Sequence, residues 1–163
     1  MDNTDEVLVA LRRIIRATDL YSKRLNKDSG LTAPQLLLLQ TIQRMGAGIA
    51  INMISKEVNL SQATVTSIID RLEARKLVKR ERSNVDKRKV NVVLTETGIE
   101  LIKEAPTPLQ DHFIQRFQNL QDWEQSSILS SLQRVAYMMD AEEIDASPVL
   151  DVGAIDREGS NQS

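Results

Sequence analysis

The period of the apolar residues shortens near Arg75, and that change limits the folds available to this chain. Before it, the apolar residues of 65–72 recur every three or four positions, so they form one buried stripe on a helix. After it, one-residue alternation runs over 78–82 and 90–94, with a polar loop at 83–88. A helix followed directly by a β-hairpin with a charged tip is therefore predicted.

A shorter helix precedes this pair. Apolar residues at 51, 54 and 58 mark about two turns, and Ser61 is of the type that caps the start of the next helix. The face of that next helix opposite its apolar stripe carries Ala63, Ser67, Asp70 and Ala74, flanked by Thr64, Thr66 and Arg71. This small, polar face suits the floor of a major groove better than a protein core. The order of elements predicts a winged helix-turn-helix in a mainly α fold with a small β-hairpin wing.

Further helical patterns lie on both sides. A long first helix should end at Gly30, and a second should start at Thr32 and break at Gly46. Thr95 should cap another helix, which Pro106 and Pro108 kink or end. Two more patterns follow, through 113–120 and from about 121 to 139, and beyond 141 we expect a disordered acidic end.

The formal net charge of −2 conceals an asymmetry along the chain. Residues 141–163 contain six acids and one base, whereas residues 71–90 contain nine bases and three acids, a local charge of +6. Such a basic stripe attracts polyphosphate, although a charge run taken alone is more often a solvated face. The polar-faced helix beside it favours a double-stranded DNA partner.

Composition argues against several other classes. The chain has no cysteine and a single histidine, His112, so disulfides, thiol nucleophiles and cysteine-ligated metals are excluded, and neither a cofactor nor enzymatic activity is expected. A small hydrolase would also need a nucleophile elbow or a phosphate loop. Aromatic residues make up 3% of the chain, too few for the stacking surface of a single-strand binder. No membrane span or signal peptide is recognisable, and a cytoplasmic protein is predicted.

Three motifs resemble the MarR family of bacterial winged-helix repressors, over about residues 5–140. They are the stretch 60–77 (LSQATVTSIIDRLEARKL), the wing residues 86–88 (DKR) followed by 92–95 (VVLT), and Gly98 of the LTETG segment. The family's usual glycine near the end of the first stretch is here Lys76. The recognition helix is therefore expected to end by another route.

The resemblance implies a homodimer whose terminal helices interlock and whose winged domains straddle a pseudo-palindromic operator, with half-sites about 34 Å apart. It divides the chain into a dimerisation helix at 1–29, a winged domain at 30–98, dimerisation helices at 99–140 and a tail at 141–163. The apolar residues of the terminal helices are the candidate interface: Val7, Leu11, Phe113, Phe117, Trp123, Ile128, Leu132 and Val135.

The resemblance also implies that Arg88 enters the minor groove and that Asp86 fixes it without touching DNA. The alternative for this pair is a surface ion pair in a loop. The candidates for base readout are Gln62, Ala63, Thr64, Thr66 and Ser67, and those for phosphate binding are Asn52, Ser61, Arg71, Arg75 and Lys89. Three of these have structural alternatives: Ser61 as an N-cap, Thr66 bonded to its own backbone, and Arg75 as part of a helix-terminal charge pattern.

Members of the family are often released from DNA by small aromatic or anionic molecules. Here the pocket would include Arg16, Tyr21, Gln40 and Arg44, which could equally solvate helix surfaces or pair across the dimer. The opening sequence is similar to a subgroup linked to ectoine and other compatible-solute genes, so an osmotic stress response driven by ionic strength is a second possible input. Two alternatives stay open: a constitutive DNA binder without an effector, and a winged-helix module for protein–protein interaction. The acidic tail is either a solvated end or a competitor of DNA for the hairpin.

Overall fold

The structure is a computed structural model that describes residues 2–46, 48–144, 146 and 150. The chain divides into two compact units, and the first includes everything from the N-terminus to Pro106. Its elements are α1 (Asn3–Ser29), α2 (Ala33–Met45), β1 (Ile49–Ala50), α3 (Ile51–Val58), α4 (Gln62–Ala74), β2 (Val78–Arg82), β3 (Val90–Leu94) and α5 (Glu96–Glu104). The second unit contains α6 (Leu109–Gln118) and α7 (Asp122–Met138).

The helix boundaries follow the capping residues that the sequence offers. Gly30 ends α1 in the left-handed region, with φ of 69°, as predicted. Thr32 starts α2 with a capping box, in which its hydroxyl accepts from the backbone N–H of Gln35 and the Gln35 side chain accepts from that of Thr32. Pro34 lies in the first turn, where its missing N–H costs nothing.

The predicted helix-turn-helix is present as α3 and α4. Asn59 ends α3 with φ of 53°, a conformation that asparagine tolerates better than most residues. Ser61 caps α4, and the apolar stripe of α4 lies in the core of the first unit. That core also takes buried side chains from the other helices and strands, including Leu25, Leu36, Leu39, Ile54, Val58, Leu77, Val78 and Val92.

The hairpin forms as predicted, and it is joined by a strand that the sequence did not reveal. β2 and β3 are antiparallel, with Arg80 opposite Val92. β1 pairs with the other edge of β3 and gives the sheet order β1-β3-β2. Two residues are too short for a recognisable alternation, so β1 had no signal of its own.

The recognition helix α4 ends in a left-handed turn at Lys76, whose φ is 60°. The N–H of Lys76 donates to Glu73 O at 2.8 Å and the N–H of Leu77 to Leu72 O at 3.0 Å, the hydrogen-bond pattern of a Schellman motif. The expectation of another route is therefore wrong. The lysine adopts the backbone conformation that glycine would take, because Leu72 and Leu77 are buried on either side and hold the turn closed.

The start of α5 is bonded to the same turn. Thr95 Oγ1 donates to Lys76 O at 2.7 Å and accepts from the N–H of Gly98 at 3.1 Å. A Cβ on Gly98 would lie 2.2 Å from Leu77 O, so only glycine allows α5 to approach so closely. The residues of the LTETG segment thus join β3 and α5 to the end of α4.

The first unit extends further than the winged domain that we expected at 30–98. Leu101 and Ile102 of α5 pack against its core, and Pro106 is its last residue before the second unit. The prolines act as predicted, since α5 ends at Glu104 and Pro108 precedes α6. Of the predicted tail, most residues lie outside the part of the chain that is described. No helix in the described ranges combines the length and hydropathy needed to span a bilayer.

We predict that Lys76→Gly stabilises the protein. A residue with a Cβ destabilises the folded state by about 1–2 kcal/mol in the left-handed region, and glycine removes that cost. Glycine also has greater freedom in the unfolded chain, which lowers the stability of the folded state by about 0.5–1 kcal/mol. The expected net gain is about 0.5–1 kcal/mol in the free energy of unfolding, measured by urea denaturation. Lys76→Ala removes the same charge but keeps a Cβ, so equal stability of the two variants would contradict the argument.

Candidate nucleic-acid interface

The helix α4 presents a small, polar face to solvent. Its four stripe residues are at most 2% exposed, which fixes the opposite face outward. On that face Gln62, Ala63 and Asp70 are exposed, and Thr66 and Ser67 are half-buried. The structure therefore brings the predicted base-reading residues to one accessible surface.

Two hydroxyls at the start of α4 are bonded to each other. Ser61 Oγ accepts from the N–H of Thr64 at 3.1 Å and lies 2.8 Å from Thr64 Oγ1. The N-cap alternative for Ser61 is thus the geometry observed. A hydroxyl has one donor and two acceptor positions, so Thr64 keeps capacity for a further partner. Asn52, in the first turn of α3, is exposed.

The acidic residues of α4 are paired with an arginine of the wing. The guanidinium of Arg80 donates to Glu73 Oε1 at 2.7 Å and to Asp70 Oδ1, while Glu73 Oε2 accepts from the backbone N–H of Arg80 at 3.0 Å. Partial burial lowers the pKa of Arg80, but these hydrogen bonds and charges outweigh it and hold the pKa above the ordinary value. Arg80 therefore stays charged and offsets carboxylates that would otherwise repel phosphates. The sequence did not indicate this pairing, since Arg80 counted only as one base of the stripe.

The wing loop is held by hydrogen bonds from its own side chains. Ser83 Oγ accepts from the N–H groups of Val85 and Asp86 at 3.2 and 3.3 Å. Asp86 Oδ1 accepts from the backbone N–H of Arg88 at 3.0 Å. Asp86 thus fixes the backbone at Arg88, rather than forming the ion pair that was the alternative. The Arg88 side chain stays exposed at the tip.

The basic stripe resolves into paired and unpaired cations. Lys79 Nζ lies 2.8 Å from Glu81 Oε1, and Arg80 is bonded to α4. Within residues 2–46 and 48–144, no carboxylate oxygen lies within 4.0 Å of the charged groups at positions 82 and 87–89. These four are Arg82, Lys87, Arg88 and Lys89. Four bases without a carboxylate partner therefore lie together at the end of the wing.

One predicted phosphate-binding residue has its side chain committed elsewhere. The Arg75 guanidinium donates to Gly30 O at 2.9 Å and to Ser29 O at 3.2 Å, at the carboxyl end of α1. Its structural alternative, a helix-terminal contact, is the arrangement observed, although the helix is α1 and not its own. Arg71 lies half-buried on α4.

Three of the four candidate effector residues make separate contacts. Arg16 pairs with Asp19 at 3.2 Å, Arg44 pairs with Glu57 at 2.7 Å, and Tyr21 Oη donates to Pro106 O at 3.5 Å. Gln40 is half-buried on α2. A cavity of about 240 Å³ in the first unit is lined by none of them, but by Ile42, Gln43, Gly46, Val93, Leu94 and Ile99.

Large apolar side chains remain exposed on the terminal helices. On α1, Val7 is 48% exposed, and in the second unit Phe113 is 50%, Trp123 71% and Leu132 47% exposed. Phe113 and Phe117 stack with ring centroids 5.4 Å apart. Leu11 and Phe117 are half-buried, and Ile128 is 36% exposed. A monomeric protein rarely exposes apolar residues in such groups.

The fold and this surface define a winged helix-turn-helix protein. Residues 31–90 match the model of the MarR family. The chain is 31% identical to BpsR of Bordetella bronchiseptica, covering 80% of this chain and 98% of that one with a TM-score of 0.52. That structure describes how 6-hydroxynicotinic acid regulates DNA binding by BpsR. The chain belongs to the MarR family.

Two relatives carry the name of HTH-type transcriptional regulator. YsmB of Bacillus subtilis, itself uncharacterized, is 25% identical over 139 residues, 85% of this chain and 94% of YsmB. MgrA of Staphylococcus aureus is 38% identical over 76 residues, which is 47% of this chain and 51% of MgrA. The similarity to MgrA is higher but spans about half of each chain.

We predict that Asp86→Ala loosens the wing tip. Loss of the acceptor for the Arg88 N–H removes about 0.5–1.5 kcal/mol, so that amide should exchange with solvent hydrogen roughly two to ten times faster. Asp86→Asn keeps an oxygen acceptor at the same position and is the matched control. An Arg88 amide that exchanges equally fast in the wild type and in the alanine variant would contradict this role of Asp86.

Proposed function

We propose that two copies of this chain bind one double-stranded DNA operator and regulate transcription, as a repressor, from the cytoplasm. In each copy α4 enters the major groove, and the wing lies along the neighbouring backbone and minor groove. The observation that carries the proposal is the pairing of Asp70 and Glu73 with Arg80 beside a wing tip that bears unpaired cations. An outward carboxylate on a DNA-reading helix is tolerated where a cation is already bonded to it.

The roles of the side chains follow from their chemistry and exposure. Gln62, with an amide, and Ser67 and Thr66, with hydroxyls, suit base edges, and Ala63 suits a thymine methyl group. Thr64 joins them through the remaining capacity of its hydroxyl. Phosphate binding is assigned to the exposed or half-buried groups of Asn52, Arg71 and Lys89, and to Ser61 through the helix N-terminus that it caps.

The wing tip is assigned to the minor groove. Arg88 is exposed, and the Asp86 carboxylate faces the backbone of its own loop, so it does not compete with the phosphates for the guanidinium. A narrow, A·T-rich minor groove has an enhanced negative potential that attracts an inserted arginine. Arg88 therefore supplies an A·T preference at the flanks of the operator.

Two copies are proposed because the terminal helices of a single protomer leave large apolar side chains exposed. The exposed side chains of α1, α6 and α7 include five of those that the sequence nominated for a dimer: Val7, Phe113, Trp123, Ile128 and Leu132. A two-fold dimer places the two α4 helices one helical turn of DNA apart, about 34 Å or roughly 10 base pairs. The operator should then contain inverted half-sites at that spacing.

Relief from DNA is assigned to one of two inputs. A small aromatic or anionic molecule is supported by the likeness to BpsR, whose DNA binding responds to 6-hydroxynicotinic acid. Ionic strength, as part of an osmotic stress response, is supported by the concentration of unpaired cations in the wing. A ligand panel scored by thermal shift separates these inputs, because only a bound molecule raises the melting temperature at constant salt.

We predict that Arg88→Ala weakens operator binding by a few kcal/mol and reduces the A·T preference at the flanks. The measurement is the Kd for a duplex enriched from a randomised pool by the wild-type protein, at two salt concentrations. Arg24→Ala removes the same charge from α1, where Arg24 lies 3.7 Å from Asp28, and should change the affinity little. Equal affinities of the Arg88 variant and the wild type at both salt concentrations would refute the role of Arg88.

We predict a dimer at micromolar concentration, and its loss in Leu132→Lys. A charge on this exposed leucine of α7 would have to be buried in the interface, which costs several kcal/mol when it has no partner. Sedimentation velocity gives the mass of each variant. Lys56→Ala, at an exposed position of α3, should remain dimeric. A wild-type protein that sediments as one protomer would end this account of the site.

The rival function is a winged-helix module that binds only proteins. It gives no reason for a wing tip with unpaired cations on a loop organised by Asp86 and Ser83. It also predicts that duplex DNA of any sequence leaves the protein unbound, which the enrichment experiment tests directly.

A further inference from the structure

One base of the basic stripe is bonded to the end of α1. Arg75 forms the C-cap of α4, and its guanidinium donates to two carbonyl oxygens at the end of α1, Gly30 O at 2.9 Å and Ser29 O at 3.2 Å. The contact joins residues that are 45 and 46 positions apart in the sequence. It is therefore a tertiary bond between two helices and not a local cap.

The chemistry of this bond is favourable on both sides. The last carbonyls of a helix lack partners within the helix and carry its partial negative charge. A guanidinium is permanently charged and presents several N–H donors in a rigid fork, so it can bond two neighbouring carbonyls at once. The approach is close: a Cβ on Gly30 would lie 3.2 Å from a terminal nitrogen (Nη2) of Arg75.

The end of α1 is also where that helix packs into the core of the first unit. The buried residues of α1 are Thr18, Leu25 and Ser29, all in its second half. Upstream, Ile14 and Ile15 are 54% and 57% exposed. The direction of the first half of α1 therefore depends on how the last turns of α1 are held. Arg75 bonds the final turn of α1 directly to α4.

We propose that Arg75 is a positioning residue that fixes the recognition helix relative to α1 and thereby sets the half-site spacing that the protein accepts. The inference rests on the proposed function, since it needs a dimer that uses α1 and an operator with two half-sites. If two copies meet through α1, the separation of their α4 helices is transmitted through the junction of α1 and α4. Without the Arg75 bonds that junction has fewer constraints, and the two reading helices can adjust to a wrong spacing.

The test uses the full-length protein and the duplex enriched by the wild type from a randomised pool, with versions in which the centre is one base pair longer or shorter. One base pair changes the separation by about 3.4 Å and rotates the half-site by roughly 34°. Wild type should lose about tenfold or more in affinity on either change. Arg75→Gln should lose about threefold or less, while the salt dependence of its affinity stays that of wild type, because no phosphate contact is removed.

Two further variants separate this role from others. Lys89→Gln removes one unpaired wing cation from each protomer, so the salt slope of the dimer should fall by about two with the spacing preference unchanged. Arg75→Lys keeps the charge but not the fork, and it should show an intermediate spacing preference, which also provides a result if Arg75→Gln does not fold. A merely structural Arg75 would lower the melting temperature and leave the spacing preference of the folded protein intact.

The outcomes distinguish this inference from the proposed function. If the wild type enriches no duplex, the proposed function fails and this inference fails with it. If the wild type binds and discriminates spacing, but the Arg75 variants discriminate equally well, only the inference is overturned. A salt slope that falls by about two in the Arg75→Gln dimer, with spacing preference retained, would instead make Arg75 a phosphate contact.

Discussion

The left-handed turn that ends α4 is the constraint on which the rest of the first unit depends. Leu77 follows Lys76 into the core, and its buried side chain and N–H close the turn. Thr95 bonds the carbonyl oxygen of Lys76, and Gly98 lies close to that of Leu77, so α5 starts against the same turn. Arg75, one residue earlier, bonds the end of α1. α4 is thus fixed at its carboxyl end, and Gln62 and Ala63 at its other end are exposed to solvent.

This arrangement explains how a chain of net charge −2 can present a cationic surface. Arg75 is used by α1, Arg80 by the carboxylates of α4, and Lys79 by Glu81. Carboxylates therefore offset Lys79 and Arg80, whereas the four bases at the wing tip keep their charge without such a partner. Isolated surface pairs contribute little stability, about 0–1 kcal/mol, so the consequence here is one of charge distribution more than of folding.

Most of the fold could be predicted from the sequence, because its signals are local. The caps at Ser61 and Thr95 mark helix starts, and the change of period near Arg75 marks the passage to the hairpin. The two-residue strand β1 could not be found, since its pairing with β3 is set by tertiary contact. The prediction for the end of α4 was wrong, because a left-handed turn does not require glycine where buried residues hold it. Here Leu72 and Leu77 hold the turn at Lys76.

The candidate site was predictable in its outline but not in its bonding. The sequence indicated the polar face of α4 and the wing residues Asp86 and Arg88. It could not show that Asp86 bonds the backbone of Arg88, or that Arg80 reaches Asp70, because such contacts depend on side-chain directions across two elements. Arg75 illustrates the general difficulty: by charge and position it belongs with the phosphate binders, and only its distance to the α1 carbonyls separates it from them.

The charge distribution also bears on how such a protein could respond to its surroundings. Each phosphate contact releases about one counterion, so a dimer that makes six to ten contacts loses about 10³–10⁵ in affinity between 50 and 200 mM salt. The proposed dimer carries four unpaired cations on each wing, of which Arg88 is assigned to the minor groove, so its two wings supply up to six phosphate contacts. In the proposed complex, a change in ionic strength would therefore alter operator affinity without a bound effector.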